Sequence, residues 1–361
     1  MTAYEQLAAL ANEPYRKADD RPLIAVFPMW FPYEILVAAG LRASEWWAVP
    51  KPTTLADAHY PPFVCSLVKC NFEALLDGAA APDGMVFPSA TCDSIQNSAG
   101  LFRRLFPTKF SAYFRMSQNP ESAGAATFVR DEMTRIVHQV RAFFHQPVTD
   151  ADLCEAIAAV NAWRRAARRL LAKLGEGRVA AAPVYTALKG ALADIGRPTA
   201  RLLEEYAGSL AVAPAAGRKV MLVGMTPEPT DALAVMEAAG ACVVGDDLGL
   251  GWRTVAVDAG ETGDPLAALT QRLLQSPPCS SLHFATKRRS DAVVARARAL
   301  HADAVVFTRV KFCDPEAFDY PNIKKALDLA GLPSLLLERE LTTAAEGAVA
   351  TRVEAFVEQL G

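Results

Sequence analysis

Cys65, Cys92 and Cys313 stand at equivalent places in the chain, each directly before a segment with a helical pattern. Residues 85–87 and 304–307 are apolar and resemble strands, so Cys92 and Cys313 also lie just past a strand end. A thiol at a helix N-terminus faces the positive end of the helix dipole, which favours its thiolate form. Because thiolates bind metals and iron–sulfur clusters, these cysteines could form one metal centre at the carboxyl edges of α/β sheets.

The same three cysteines also fit a purely structural interpretation. Free cysteine is among the residue types most often buried, and no C-x2-C pair marks a compact metal site. On the residues alone, both interpretations stay open. The other four are predicted to be structural: Cys70, which follows Cys65 by five residues and could approach the same site, and Cys154, Cys242 and Cys279.

Polar residues near these segments are predicted to cap secondary structure rather than to act in catalysis. Asp93 or Ser94 is expected to be the N-cap of its helix, and Asp314 is expected to be a cap in the second half of the chain. Residues 245–247, with the sequence GDD, are predicted to form a loop after a strand. No residue in this set is therefore predicted to be an acid or base.

Composition and sequence motifs exclude several classes of protein. The 361 residues carry a formal net charge of -3, which gives no basic surface for nucleic acid. No apolar run approaches the ~20 residues of a membrane span, and the polar opening residues predict no secretory signal. Neither a phosphate loop nor a dinucleotide motif is present. We expect a cytoplasmic protein whose seven cysteines are not paired in disulfides.

Strand and helix patterns alternate in both halves of the chain. Residues 1–121 and 213–361 show apolar strand segments followed by helices, which is typical of parallel sheets covered on both faces. Residues 122–212 show a helical period and predict about four helices. We therefore predict an α/β protein with two Rossmann- or flavodoxin-like parallel-sheet domains and a helical insert between them. Residues 208–219 are the predicted linker into the second domain.

Several segments resemble one protein family along nearly the whole chain. They include FPYEILVAAG (31–40), the segment around Cys65, DGMVFPSATCDSIQNSAGLFRRLFP (83–107), EAAGACVVGDDLG (237–249) and the long segment 302–340, which contains KFCDPEAFDYPN. Together they resemble the cluster-bearing subunits of benzoyl-CoA reductase and 2-hydroxyacyl-CoA dehydratase. Residues 83–107 are more similar to the aromatic-ring reductases than to the dehydratases.

The resemblance implies a cofactor and a function. Family members hold one [4Fe–4S] cluster per subunit through three cysteines, which correspond here to Cys65 and Cys92 in the first domain and Cys313 in the second. The implied function is a subunit of an ATP-dependent, low-potential reductase that binds an aromatic acyl-CoA and passes single electrons to it. The alternatives are a subunit of a radical (R)-2-hydroxyacyl-CoA dehydratase, and a non-catalytic electron-transfer or scaffold subunit of such a complex.

The resemblance also implies partners. A homologous second subunit is expected, with a homodimer as the alternative, and a separate iron–sulfur activator would hydrolyse ATP and deliver the electrons. The lack of a nucleotide motif in this chain agrees with ATP acting only through that activator. An oxygen-sensitive protein is expected. Cys70 lies outside the three-ligand pattern, and the chain is short for the reductase branch.

Overall fold

Two parallel β-sheets of four strands each, surrounded by helices, make up the computed structural model. This confirms the prediction of two α/β parallel-sheet domains. The domain boundaries predicted at 121/122 and 212/213 stay predictions, and residues 214–216 of the predicted linker lie outside the described residues. The structure describes residues 1–16, 19–89, 92–177, 179–213, 217–227, 230–286, 288–342 and 346–361.

The N-terminal sheet is built from β1 (Leu23–Val26), β2 (Arg42–Glu45), β3 (Gly84–Pro88) and β4 (Phe110–Phe114). Its spatial order is β2-β1-β3-β4, and all neighbouring strands are parallel. Both central strands, β1 and β3, are buried throughout, because helices cover the sheet on both faces. The helices of this half are α1 (Ala3–Asn12), α2 (Glu34–Ala38), α3 (Thr54–Asp57), α4 (Ser66–Leu76) and α5 (Asp93–Leu105).

Four helices follow β4 in the described residues, as the helical period predicted. They are α6 (Ala125–Phe144), α7 (Asp150–Glu176), α8 (Ala181–Leu192) and α9 (Arg197–Ser209). Helix α7 has 27 residues and buries Trp163 completely. Within the described part of the chain, no helix combines the length and apolar character that crossing a membrane requires. Helix α1 packs against α8 and α9, so the N-terminal segment is joined to this helical insert.

The C-terminal sheet is built from β5 (Arg218–Gly224), β6 (Ala241–Leu248), β7 (Ala304–Val310) and β8 (Ser334–Arg339). Its order, β6-β5-β7-β8, repeats the arrangement of the first sheet, with the two central strands again flanked by the second and fourth. A short kinked turn, in which Leu250 and Gly251 have non-helical backbone angles, covers Gly249–Arg253 after β6. The helices of this half are α10 (Asp231–Ala238), α11 (Pro265–Leu274), α12 (Arg289–Ala299), α13 (Asp314–Leu329) and α14 (Glu346–Gln359).

The predicted loop at residues 245–247 is wrong, because these residues belong to β6 and are buried. Asp246 accepts hydrogen bonds from the Tyr185 hydroxyl at 2.9 Å and from the backbone N–H of Trp252 at 2.8 Å. These partners satisfy a carboxylate that a loop would have left to solvent. The short polar run therefore joins the sheet to the insert and to the turn that follows β6.

We expect Gly190→Ala to destabilise the protein by about 1–3 kcal/mol, because the backbones of α8 and α1 are in direct contact there. A Cβ atom at Gly190 would collide with the carbonyl oxygen of Leu7. The matched control is Gly100→Ala in α5, where no atom lies within 4 Å of the added carbon. That variant should gain up to about 1 kcal/mol from helix propensity. Equal urea midpoints for both variants would contradict the close packing of α1.

Candidate metal centre

Each of the three candidate cysteines is the N-cap residue of a helix. Cys65 precedes α4, Cys92 precedes α5 and Cys313 precedes α13. The predictions that Asp93 or Ser94 caps α5 and that Asp314 is a cap are therefore wrong, since α5 already begins at Asp93 and α13 at Asp314. Cys65 and Cys92 have extended backbone angles, the conformation in which an N-cap side chain turns back toward the first helical turn.

Backbone N–H groups of the first helical turn favour the thiolate form of each of these cysteines, although none of the three sulfurs accepts a capping hydrogen bond. The N–H groups are those of Leu67 and Val68 for Cys65, Ser94 and Ile95 for Cys92, and Glu316 for Cys313. They have no partner within the helix because they belong to its first turn. This arrangement places partial positive charge beside each thiol.

All three cysteines line one small cavity of about 50 Å³. Trp47, which follows β2, contributes to the wall from the N-terminal sheet, and Met225, which follows β5, contributes from the C-terminal sheet. The cavity therefore lies at the carboxyl edges of both parallel sheets, where α/β proteins usually bind ligands. The fold thus brings together three residues that are far apart in sequence.

The lining of this cavity, which we call the cysteine cavity, is apolar apart from the sulfurs and two hydroxyl groups. Ser280 and Ser281 are the two polar residues. The apolar residues are Pro28, Trp47, Leu67, Val68, Ile95, Met225, Val310 and Pro315. Such a wall excludes water and strengthens every electrostatic interaction inside it.

Burial raises the pKa of the Cys65 thiol to about 12, and the charge of a Cys92 thiolate adds to the rise. Burial also raises the pKa values of Cys92 and Cys313. The helix N–H groups oppose these shifts without cancelling them. Three thiolates can therefore share this space only with a positive centre that replaces their protons, as a metal cluster does.

Three sulfurs that do not converge on one point are compatible with a multi-iron cluster. In the described part of the chain, no group of three or more His, Cys, Asp or Glu side chains meets closely enough to hold one metal ion. A cubane cluster takes each thiolate at a different iron, so its ligands need not converge on one point. Three soft sulfur donors in an apolar wall match the chemistry of such a cluster.

The other cysteines have different surroundings. Cys70 is buried in α4, where its thiol donates to the Lys51 carbonyl oxygen at 3.4 Å, and it does not line the cysteine cavity. Cys154 lies on α7 and Cys242 on β6. Cys279 is buried next to Ser280, with its sulfur 3.2 Å from a guanidinium nitrogen of Arg253. The Arg253 guanidinium donates a hydrogen bond to this sulfur, a partner that the sequence did not predict.

A larger cavity of about 620 Å³ adjoins the cysteine cavity, and Ser280 lines both. Its wall carries the basic side chains Arg288, Arg289 and Lys325 together with Asp319. None of these residues belongs to a sequence motif, so none was predicted to be a site residue. Their helices, α12 and α13, bring them to the same place only in the folded chain.

Glu45 lies behind the cavity wall and should make stability depend on pH. Trp47 lines the cavity and donates its indole N–H to Glu45 at 2.6 Å, and the Tyr33 hydroxyl also donates to this carboxyl. Burial raises the pKa of Glu45 from 4.5 to about 8. Between these two pH values the folded state holds a proton that the unfolded chain has lost, so stability falls as pH rises.

We therefore expect Glu45→Gln to remove this part of the pH dependence. Between pH 5 and 8, the free energy of unfolding of the variant should rise relative to that of the native protein by about 1 kcal/mol per pH unit. In this range only the native protein must release the Glu45 proton when it unfolds. Urea unfolding at a series of pH values measures the difference. Parallel stability curves for the two proteins would show that Glu45 is not buried as a neutral acid.

Comparison with known proteins gives a family match along almost the whole chain. The family described as 2-hydroxyglutaryl-CoA dehydratase, D-component, matches residues 28–360. The (R)-2-hydroxyglutaryl-CoA dehydratase, subunit beta, of Acidaminococcus fermentans is 28% identical over 360 residues, covering 95% of this chain and 94% of that protein.

Two further relatives have similar coverage. The (R)-phenyllactyl-CoA dehydratase beta subunit of Clostridium sporogenes is 25% identical over 342 residues, 93% of this chain and 91% of that protein. A benzoyl-CoA reductase subunit from Thauera aromatica is 25% identical over 333 residues, 89% and 86% respectively. These matches confirm the resemblance inferred from the sequence segments. The chain belongs to the 2-hydroxyglutaryl-CoA dehydratase D-component family.

Proposed function

We propose that this chain holds one [4Fe–4S] cluster through Cys65, Cys92 and Cys313, as one of two homologous subunits of an enzyme that acts on an acyl-CoA. The observation that carries this proposal is the meeting of three thiols, each at a helix N-terminus, in one apolar cavity. Such a cluster, when bound, supplies single electrons at low potential. Three protein ligands leave one iron without a thiolate.

The residues around the sulfurs would do three kinds of work. The N–H groups of α4, α5 and α13 offset the negative charge of the thiolates. Apolar side chains such as Trp47 and Met225 keep water and oxygen away from the sulfurs. Ser280 offers a hydroxyl group at the boundary with the larger cavity, which has room for part of a bound substrate.

For the reaction, we propose the elimination of water from an (R)-2-hydroxyacyl-CoA as the first candidate. The family description and the two dehydratase subunits, which align over more of their length than the reductase subunit does, support it. Reduction of an aromatic acyl-CoA is the second candidate. It is supported by residues 83–107 and by the similarity to the benzoyl-CoA reductase subunit from Thauera aromatica.

The same comparison supports a proposal about the partners. The relatives are named as subunits, and we propose that this chain pairs with a homologous second subunit in a hetero-oligomer. A separate iron–sulfur activator that hydrolyses ATP would deliver the electrons, since this chain has no phosphate loop. A homodimer is the alternative arrangement.

The test is anaerobic purification of the chain with its partner subunit, followed by iron and sulfide analysis and EPR after reduction. We expect about four iron and four sulfide atoms per chain. With the activator and ATP, turnover of a 2-hydroxyacyl-CoA would support the dehydratase, whereas turnover of benzoyl-CoA would support the reductase. A protein that binds no iron under these conditions would refute the proposal.

A further inference from the structure

Behind the Cys313 side of the cysteine cavity lies a buried group of charged residues. Four members are buried: Glu316 on α13, Arg289 at the start of α12, Arg253 in the turn after β6 and Asp247 on β6; the half-buried Asp319 on α13 completes the group. These residues come from three separate parts of the chain, 247–253, 289 and 316–319. Burying such a group is costly unless its charges are paired, so its position beside the cavity calls for an explanation.

Glu316 is the member of this group that connects to the cavity. It lies three residues after Cys313, in the first turn of α13. Its carboxylate accepts a hydrogen bond from the Ser280 hydroxyl at 2.9 Å, and Ser280 lines the cysteine cavity. Glu316 is therefore linked to the cavity in two ways: by the first turn of α13, which follows Cys313, and by its hydrogen bond with Ser280.

The carboxylate of Glu316 is charged and only partly neutralised. Arg289 donates to it at 3.0 Å, and Arg253 approaches it at 3.6 Å. Burial alone would raise the pKa of Glu316, but these two guanidinium groups hold it below its usual value. The second carboxylate oxygen, Oε2, has no hydrogen-bond partner among the described residues.

We propose that Glu316 is a positioning residue for the cluster: it fixes the turn that carries Cys313 and holds a negative charge beside that ligand. Reduction adds a negative charge to the cluster, and a fixed carboxylate in an apolar environment opposes this addition. Glu316 therefore lowers the potential at which the cluster accepts an electron. This inference rests on the proposed function, because it requires the cluster to be present.

The test is a redox titration, followed by EPR, of the cluster in the anaerobically purified complex. Glu316→Gln keeps the size of the side chain and an acceptor for Ser280 but removes the charge. We expect the ratio of reduced to oxidised cluster at a fixed ambient potential to rise about tenfold, which corresponds to ~59 mV for one electron. Iron content should stay at the native value, because the three sulfur ligands are untouched.

Asp319→Asn is the matched control. Asp319 contacts the same nitrogen of Arg289 at 3.0 Å, but it lies one turn further from Cys313 and lines the larger cavity. Removal of the Asp319 charge should change the ratio of reduced to oxidised cluster by less than twofold. Arg289→Gln, measured at pH 8.5 so that the carboxylates keep their charge, should shift the ratio in the opposite direction and serves as the test if Glu316→Gln does not fold.

Several outcomes would overturn the inference. A loaded Glu316→Gln complex with the native ratio would refute it and leave the proposed function intact. A shift in Asp319→Asn as large as that in Glu316→Gln would show that the whole charged group, and not Glu316, sets the potential. A native complex that binds no iron would refute both the function and the role of Glu316.

Discussion

We expect replacement of any one of Cys65, Cys92 or Cys313 by serine to prevent incorporation of the proposed cluster and, with it, most of the proposed turnover of an acyl-CoA. The three sulfurs line one apolar cavity, and each lies at the start of its own helix. A serine hydroxyl is a hard, weakly acidic donor and is a poor ligand for iron in such a cluster. Because loss of an outer-shell partner alone costs about 10–100-fold, loss of a ligand should cost at least ~100-fold in activity.

The measurement is iron and sulfide content together with EPR of the anaerobically purified complex. Cys154→Ser is the matched control, since Cys154 is a half-buried thiol on α7 that does not line the cavity. Cys70→Ser tests the thiol nearest in sequence to Cys65, and it should keep native iron content because Cys70 also lies outside the cavity. A native cluster in a Cys92→Ser protein would show that the three-ligand assignment is wrong.

Glu34→Gln will destabilise the protein by about 3–5 kcal/mol, which is the largest change in stability that we expect from one conservative substitution. Glu34 on α2 and Arg164 on α7 form an ion pair of 2.6 Å with neither side chain exposed to solvent. Arg272 on α11 lies near this pair, and burial together with the charge of Arg164 lowers its pKa to about 9. Neutralising Glu34 would leave two buried cations without this carboxylate.

Urea unfolding followed by circular dichroism measures the loss. The matched control is Glu204→Gln, which breaks an ion pair of 2.8 Å with Arg169, another arginine of α7, but with both side chains substantially exposed. That substitution should cost no more than about 1 kcal/mol. In a double variant, Glu34→Gln with Arg164→Met, part of the loss should be recovered, because one of the two buried cations is gone. Equal effects of Glu34→Gln and Glu204→Gln would contradict the burial of the first pair.

The elements that carry the candidate ligands could be predicted from the sequence because local rules define them. Apolar residues predicted strands close to β3 and β7, and helical patterns predicted helices after Cys92 and Cys313. The period of residues 122–212 predicted the helical insert. The exact start of α5 could not be predicted, because Asp93 and Ser94 are better N-cap residue types than cysteine. Selection of Cys92 as the N-cap depends on what its sulfur faces in the folded protein.

The buried charges could not be predicted, because their pairing joins distant segments. Asp246 belongs to a strand although GDD is a turn-like sequence, since Tyr185 of the insert supplies the missing hydrogen bond. Arg289 is the first residue of a helix and would be solvated in isolation. Glu316 and Asp319 from α13 instead enclose its guanidinium group.

By itself, then, the sequence determined the class of fold, the alternation of strands and helices, and the positions of three thiols at element boundaries. These features depend on residues near one another in the chain, whose hydrophobic pattern and helix dipoles act locally. Only the tertiary structure decided that the three thiols line one cavity, that Cys70 stays outside it and that Glu316 lies behind Cys313. The carboxyl edges of the two sheets must meet before sulfurs about 250 residues apart can line the same apolar cavity.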